Sequence, residues 1–186
     1  MSATLTQPLG RLDELVAGVR AAVDHRADWA HTAQAVAAEL RAHLPRAADV
    51  LTVEQRLGSP DGPAGHTLHV EPDGSFSITA IAWRPGQLTP IHDHTTWCVF
   101  GVLQGIEHED LFDADLNLIG HSDNVVGDVS GFAPPGDIHR VHNTGEEVAI
   151  SIHIYGTDIT RIGTSVRRYY ELGDPDEHRQ ARNRYP

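Results

Sequence analysis

The feature that most narrows what this chain can fold into is a change of hydrophobic period along its length. Up to Leu44 the apolar residues keep helical spacing: Leu12, Leu15, Val16, Val19 and Val23, then Trp29, Ala33, Val36, Ala37, Leu40 and Leu44. Positions so spaced gather on one face of a helix. Asp28 stands where the second helix needs an N-cap, and Pro45 stands where it must stop. From His66 onward the period is two. Segments 66–71 and 76–83 read as strands joined by a Pro72-Asp73-Gly74 turn, with further strands expected at 95–103, 105–112, 125–133, 138–142 and 147–155. Turn residues recur between them, at Pro85-Gly86, Asp113–Asn117, Pro134-Pro135-Gly136 and Asn143-Thr144-Gly145. Many short strands at even spacing predict a mainly β fold, a jelly-roll barrel, with two N-terminal helices packed on it. The turn-rich stretch GSPDGPAG marks the change of period. Residues 1–57 therefore read as a helical cover, 58–173 as the barrel and 174–186 as a polar tail, within one structural domain.

Composition matters chiefly for what it excludes. A formal charge of -12 on 186 residues speaks against nucleic acid or an anionic membrane as partner, since both call for a basic surface. No apolar run approaches the length of a membrane span, and the N-terminus lacks the pattern of a secretion signal. The one cysteine, Cys98, cannot form an internal disulfide and fits a reducing compartment, the cytoplasm.

The chemistry gathers in the stretch GQLTPIHDHTTWCVFGVLQG, Gly86 to Gly105. Residues two apart on a strand share a face, so His92 and His94 can converge on one point. Neutral imidazole is a metal donor, and two converging rings are half or more of a first-row metal site. Downstream, Pro134-Pro135-Gly136 is followed by His139 and Asn143. The two spaced motifs together resemble the pair that defines cupins, whose double-stranded β-helix brings three histidines together, here His92, His94 and His139. The position usually held by a glutamate is occupied by Cys98. Three imidazoles without a carboxylate admit Fe, Zn, Cu or Ni.

The strings HDHTTWCVFGVLQG, IHRVHN and SIHIYG are similar to the thiol dioxygenases of the cysteine dioxygenase type I family. The run from Trp83 to His94, WRPGQLTPIHDH, resembles in particular the bacterial branch that includes 3-mercaptopropionate dioxygenases. The resemblance implies a mononuclear non-haem Fe(2+) on the three histidines and conversion of a small thiol, with O2, to its sulfinic acid. On the last long strand Ser151, His153 and Tyr155 share one face and Ile150, Ile152 and Ile154 the other, which by pattern alone reads as a strand with its polar face in water. The resemblance implies instead a functional row beside the iron, with the isoleucines turned to the covering helices. In mammalian-type relatives a cysteine near Cys98 forms a thioether with the tyrosine equivalent to Tyr155. Here one residue fewer separates it from the second histidine, and a small buried apolar residue is the competing reading.

Substrate recognition departs from the cysteine-specific pattern. The stretch that carries an arginine in those relatives reads Gly65-His66-Thr67-Leu68-His69-Val70. The branch's arginine pair corresponds to Arg167-Arg168, with Arg168 the first choice and Arg167 the second. A guanidinium can hold a substrate carboxylate through two parallel hydrogen bonds. The expected partners are a carboxylate-bearing thiol of cysteine or 3-mercaptopropionate type and O2, and the expected assembly is a monomer or small homo-oligomer. Two other readings compete: a different metal-dependent cupin, such as an isomerase or lyase, and a non-catalytic cupin that binds a small molecule.

Overall fold

The computed structural model describes residues 10–171, so the polar tail expected at 174–186 lies outside the described residues. Helices α1 (Arg11–Asp24) and α2 (Trp29–Ala42) come first, and the Asp28 carboxylate caps α2 by accepting the His31 N–H at 2.9 Å. A short helical turn α3 (Ala47–Val50) and a 3-10 turn lead into the strands. These are β1 (Ala64–Val70), β2 (Ser77–Trp83), β3 (Ile91–His94), β4 (Cys98–Gln104), β5 (Ile106–Phe112), β6 (Leu118–Val125), β7 (Val129–Phe132), β8 (His139–His142), β9 (Ala149–Tyr155) and, after a helical turn α4 (Ile159–Ile162), β10 (Val166–Tyr170). Two five-stranded antiparallel sheets result, ordered β1-β2-β9-β4-β7 and β10-β3-β8-β5-β6. This is the cupin double-stranded β-helix. No helix among the described residues is long and apolar enough to cross a membrane.

The main core lies outside the barrel, between the first sheet and the helices. Ile150, Ile152 and Ile154 of β9, Ile78 of β2 and Val99 of β4 pack with Leu15 and Val19 of α1 and Val36 and Leu40 of α2. All nine are fully buried. Each contributes roughly 1.5–3 kcal/mol by leaving water, so the helical pair is integral to the fold. Two glycines let α2 come close. A Cβ on Gly101 would stand 3.1 Å from Leu40 Cδ2, and one on Gly131 would stand 3.1 Å from the Ala33 carbonyl oxygen. With β9's isoleucines so placed, its alternate residues face the barrel interior.

The strand pattern differs from expectation in three places. His92 and His94 occupy their own strand in the second sheet, and the chain crosses to the first sheet before Cys98. Thr95 and Thr96 hold that crossing, donating to the Ser165 and Gly156 carbonyls. The segment expected as one strand over 125–133 is broken by a turn at Gly127-Asp128, where Asp128 accepts the Val125 N–H at 2.8 Å. Strands β6 and β10 were not expected. Their side chains are largely polar and exposed, and they are ordered by backbone pairing to β5 and β3 rather than by an apolar face.

Candidate metal centre

β3 and β8 are neighbours in the second sheet, paired through His92 and His139. With His94 two residues further along β3, the three rings meet inside the barrel, each offering one nitrogen within 4.8 Å of the others. All three side chains are buried. The protein fixes each ring from behind. His92 Nδ1 donates to the Pro90 carbonyl at 2.9 Å, His139 Nδ1 meets Glu109 Oε1 at 2.6 Å, and His94 Nδ1 meets Asp137 Oδ2 at 3.2 Å. A carbonyl can only accept, so His92 carries its proton on Nδ1 and leaves Nε2 bare; a carboxylate behind each of the others has the same effect. Asp137 is itself anchored by the His94 backbone N–H at 2.8 Å.

These residues fit a metal ion. The Nε2 atoms of His92 and His139 stand 3.2 Å apart, and with both protons on Nδ1 no hydrogen joins them. Facing lone pairs repel unless a cation lies among them. Burial, reinforced by the neighbouring histidines, pushes His92 and His139 down to about 3, which keeps both rings neutral and able to ligate. Burial pushes Glu109 up to about 7, and His94 and His92 act against that shift.

A cavity of about 240 Å³ opens over the three histidines. Cys98, Phe100, Phe132, His153 and Tyr155 line its inner wall, and Thr89, Thr164, Ser165 and Tyr169 are among its other lining residues. Ser151 Oγ lies 2.8 Å from His153 Nε2 and accepts the Trp83 Nε1–H at 3.0 Å. Tyr155 stacks beside His153, ring centroids 6.0 Å apart, and the two share no hydrogen bond among the described residues. Burial, with Cys98 second, holds the Tyr155 phenol well above its usual range, so it is a proton donor at neutral pH. Cys98 and Tyr155 are directly opposite across the β4–β9 ladder, where side chains share a face. The Cys98 thiol is buried, and burial raises it too.

The structure does not bring the arginine pair to the cavity. Arg168 is paired in register with Asp93, which points away from His92 and His94, and its guanidinium binds Asp93 Oδ2 at 2.6 and 3.1 Å. Tyr170 donates to the same oxygen at 3.0 Å. A register shift between Val166 and Arg168 leaves Arg167 at the bulge, exposed and outside the cavity wall. Val166 and Tyr169 take the inward positions instead. Among the described residues, no lysine or arginine lines the cavity.

Three acidic groups were missed from the sequence: Asp137, Glu109 and the buried Glu107. The available signal was β5 itself, Ile106-Glu107-His108-Glu109-Asp110, which places two glutamates on one strand face. His142, at the far end of β8 from His139, pairs in register with His108 of β5.

The chain belongs to the cysteine dioxygenase type I family, whose sequence pattern matches residues 63–168. Solved structures similar to it include an oxalate oxidase in complex with glycolate, at 18% identity, 54% of this chain, 53% of that one and a TM-score of 0.45. An oxalate decarboxylase from Lactobacillus farciminis in a formate complex matches at 17%, with 54% and 30% covered and a TM-score of 0.45. An uncharacterized protein with a double-stranded β-helix domain from Klebsiella pneumoniae matches at 18%, with 59% and 90% covered and a TM-score of 0.46. The matched region spans about half of the oxalate oxidase and under a third of the decarboxylase. None of the three bears on the chemistry of the site.

Proposed function

We propose that the protein is a mononuclear non-haem iron thiol dioxygenase, related to the 3-mercaptopropionate branch, that oxidises a small thiol to its sulfinic acid. The observation that carries this reading is a three-imidazole centre with no carboxylate ligand, set in the cavity of a family member. Such a centre takes its anionic ligand from the substrate, and a thiolate suits that place. The overall reaction, RSH + O2 → RSO2⁻ + H⁺, needs no external reductant.

His92, His94 and His139 would hold the iron, with Pro90, Asp137 and Glu109 fixing their rings. Iron bound there would supply the redox chemistry that joins O2 to sulfur. The protein's part is orientation and proton control. Tyr155 presents a phenol O–H to the cavity, with His153 and Ser151 setting the wall beside it. Cys98 lies opposite Tyr155 as a pocket residue or as its thioether partner; a cross-link would make the joined peptides lighter by two hydrogen atoms. A substrate carboxylate would meet the hydroxyls of Thr89, Thr164, Ser165 and Tyr169 rather than a guanidinium. The single buried cysteine suits a cytoplasmic setting.

The test is oxygen consumption by protein loaded anaerobically with Fe(II), given cysteine, 3-mercaptopropionate or cysteamine. Thiol-dependent uptake is expected for at least one. Protein that holds iron yet consumes no O2 with any of them would instead favour a different cupin enzyme or a binding protein.

A further inference from the structure

Behind the cavity wall stands a carboxyl that the reaction outlined above does not use. Glu107 on β5 is 1% exposed, and neither side-chain oxygen has a hydrogen-bond partner among the described residues. A carboxylate so placed is costly unless something nearby can give it a proton. The Ser151 hydroxyl is close enough to favour its charged form, and His153 Nε2 lies 4.0 Å from Oε2.

The hydrogens on Ser151 decide the matter. Its oxygen accepts from Trp83, and its own proton can go to His153 Nε2 or to Glu107. In the first case Glu107 has no donor, and His153 carries its proton on Nδ1. In the second, His153 donates Nε2–H to Ser151, Ser151 turns its hydroxyl to Glu107, and one of the two buried carboxylate oxygens gains a donor. Nδ1 is then bare, and the His153 ring lines the cavity.

We infer that Glu107 is a positioning residue that fixes the His153 tautomer and is the terminal proton acceptor of a relay from the cavity through His153 and Ser151. This rests on the thiol dioxygenase reading, because the proton it accounts for is the one a substrate thiol must lose. The S–H bond breaks as an N–H bond forms at Nδ1. The Nε2 proton passes to Ser151 Oγ, whose own proton passes to the Glu107 carboxyl. Electron pairs stay on their heteroatoms, and nothing is oxidised or reduced.

Few groups compete for that proton. His153 faces Glu107 from β9, and the Cys98 thiol on β4 and the Tyr155 phenol on β9 are raised by burial and by its charge and stay protonated. Glu109 stands two residues along its own strand, and the residue opposite on β6, Asn124, is uncharged. Burial pushes Glu107 up to about 7, which suits a group that gains and loses a proton near neutrality.

The experiment is nitrogen NMR of the full chain labelled in histidine and loaded with diamagnetic Zn(II), with His153 assigned by the signal lost in His153→Gln. At pH 8 the wild type should show His153 protonated on Nε2. Glu107→Gln, which keeps an acceptor, should show the same, and Glu107→Leu should show Nδ1. Acidification through about 7 should move the wild type to the Nδ1 form. It should leave Glu107→Gln unchanged, because the amide takes no proton. The same tautomer in wild type and Glu107→Leu at pH 8, or no change in the wild type across neutrality, would overturn the inference. The readout needs no turnover. A tautomer switch in a protein that oxidises no thiol retains Glu107's control of His153 and rejects the dioxygenase; turnover without the switch rejects the relay alone.

Discussion

Replacing Glu109 by leucine removes the acceptor of the 2.6 Å hydrogen bond from His139 Nδ1. Both side chains are buried, so water does not replace the lost partner. At pH 8, where Glu109 is ionised, a hydrogen bond to this charged group contributes about 1.5–3 kcal/mol. At about 1.4 kcal/mol per factor of ten, the metal affinity should fall roughly 10- to 150-fold. Changes to such supporting residues in metal sites typically cost about 10- to 100-fold, which agrees. Glu109→Gln keeps an acceptor oxygen and loses the charge, so its loss should be about half as large in free energy, roughly 3- to 12-fold. The assay is anaerobic competition for Fe(II) against a chromophoric chelator, with circular dichroism to confirm that each variant folds. Asp123→Asn is the control. It alters an equally short bond, His108 Nδ1 to Asp123 at 2.6 Å, which is exposed and involves none of the three histidines. A folded Glu109→Leu that binds iron within twofold of the wild type would show that Glu109 does not hold His139 for the metal.

Other consequences follow from the same structure. Arg168→Ala frees Asp93 on the outer face, so KM values for 3-mercaptopropionate and cysteamine should change by the same factor; a selective rise for 3-mercaptopropionate would return Arg168 to substrate binding. Leu40→Ala, in the core between α2 and the first sheet, should cost about 2–5 kcal/mol in urea unfolding and leave iron affinity unchanged. Acid should destabilise the metal-free protein. His92, His139 and His153, held near 3 by burial, contribute stability that is present above the ordinary 6.5 and lost as pH falls through 3. Glu107 and Glu109, raised to about 7 from 4.5, act with the opposite sign, losing their contribution as pH rises through 7. Three groups against two leave one proton between pH 4.5 and 6.5, or about 1.4 kcal/mol per pH unit. Urea midpoints that fall from pH 5 to pH 6 would contradict this.

What could be read from the sequence depended on how local the physics was. His92 and His94 declare their shared face through strand parity alone, and the isoleucines of β9 declare theirs through strict alternation. His139 needed a second spaced motif. Glu109 was hidden because its partner is thirty residues away, brought near only by the pairing of β5 with β8. The pairing of Arg168 with Asp93 was hidden for a related reason. β10 has no apolar face to reveal it, and its register shift decides which residues turn inward. A slip of one residue reverses every side chain, so a strand that contains a bulge hides its orientation from the sequence.

In the proposed reaction both atoms of O2 end on the sulfur of a thiol. Iron-loaded protein should be given its best thiol under isotopically heavy O2 and the product weighed by mass spectrometry. Two heavy oxygens in a sulfinic acid are predicted. A product carrying one or none, or a disulfide in its place, would rule out a thiol dioxygenase.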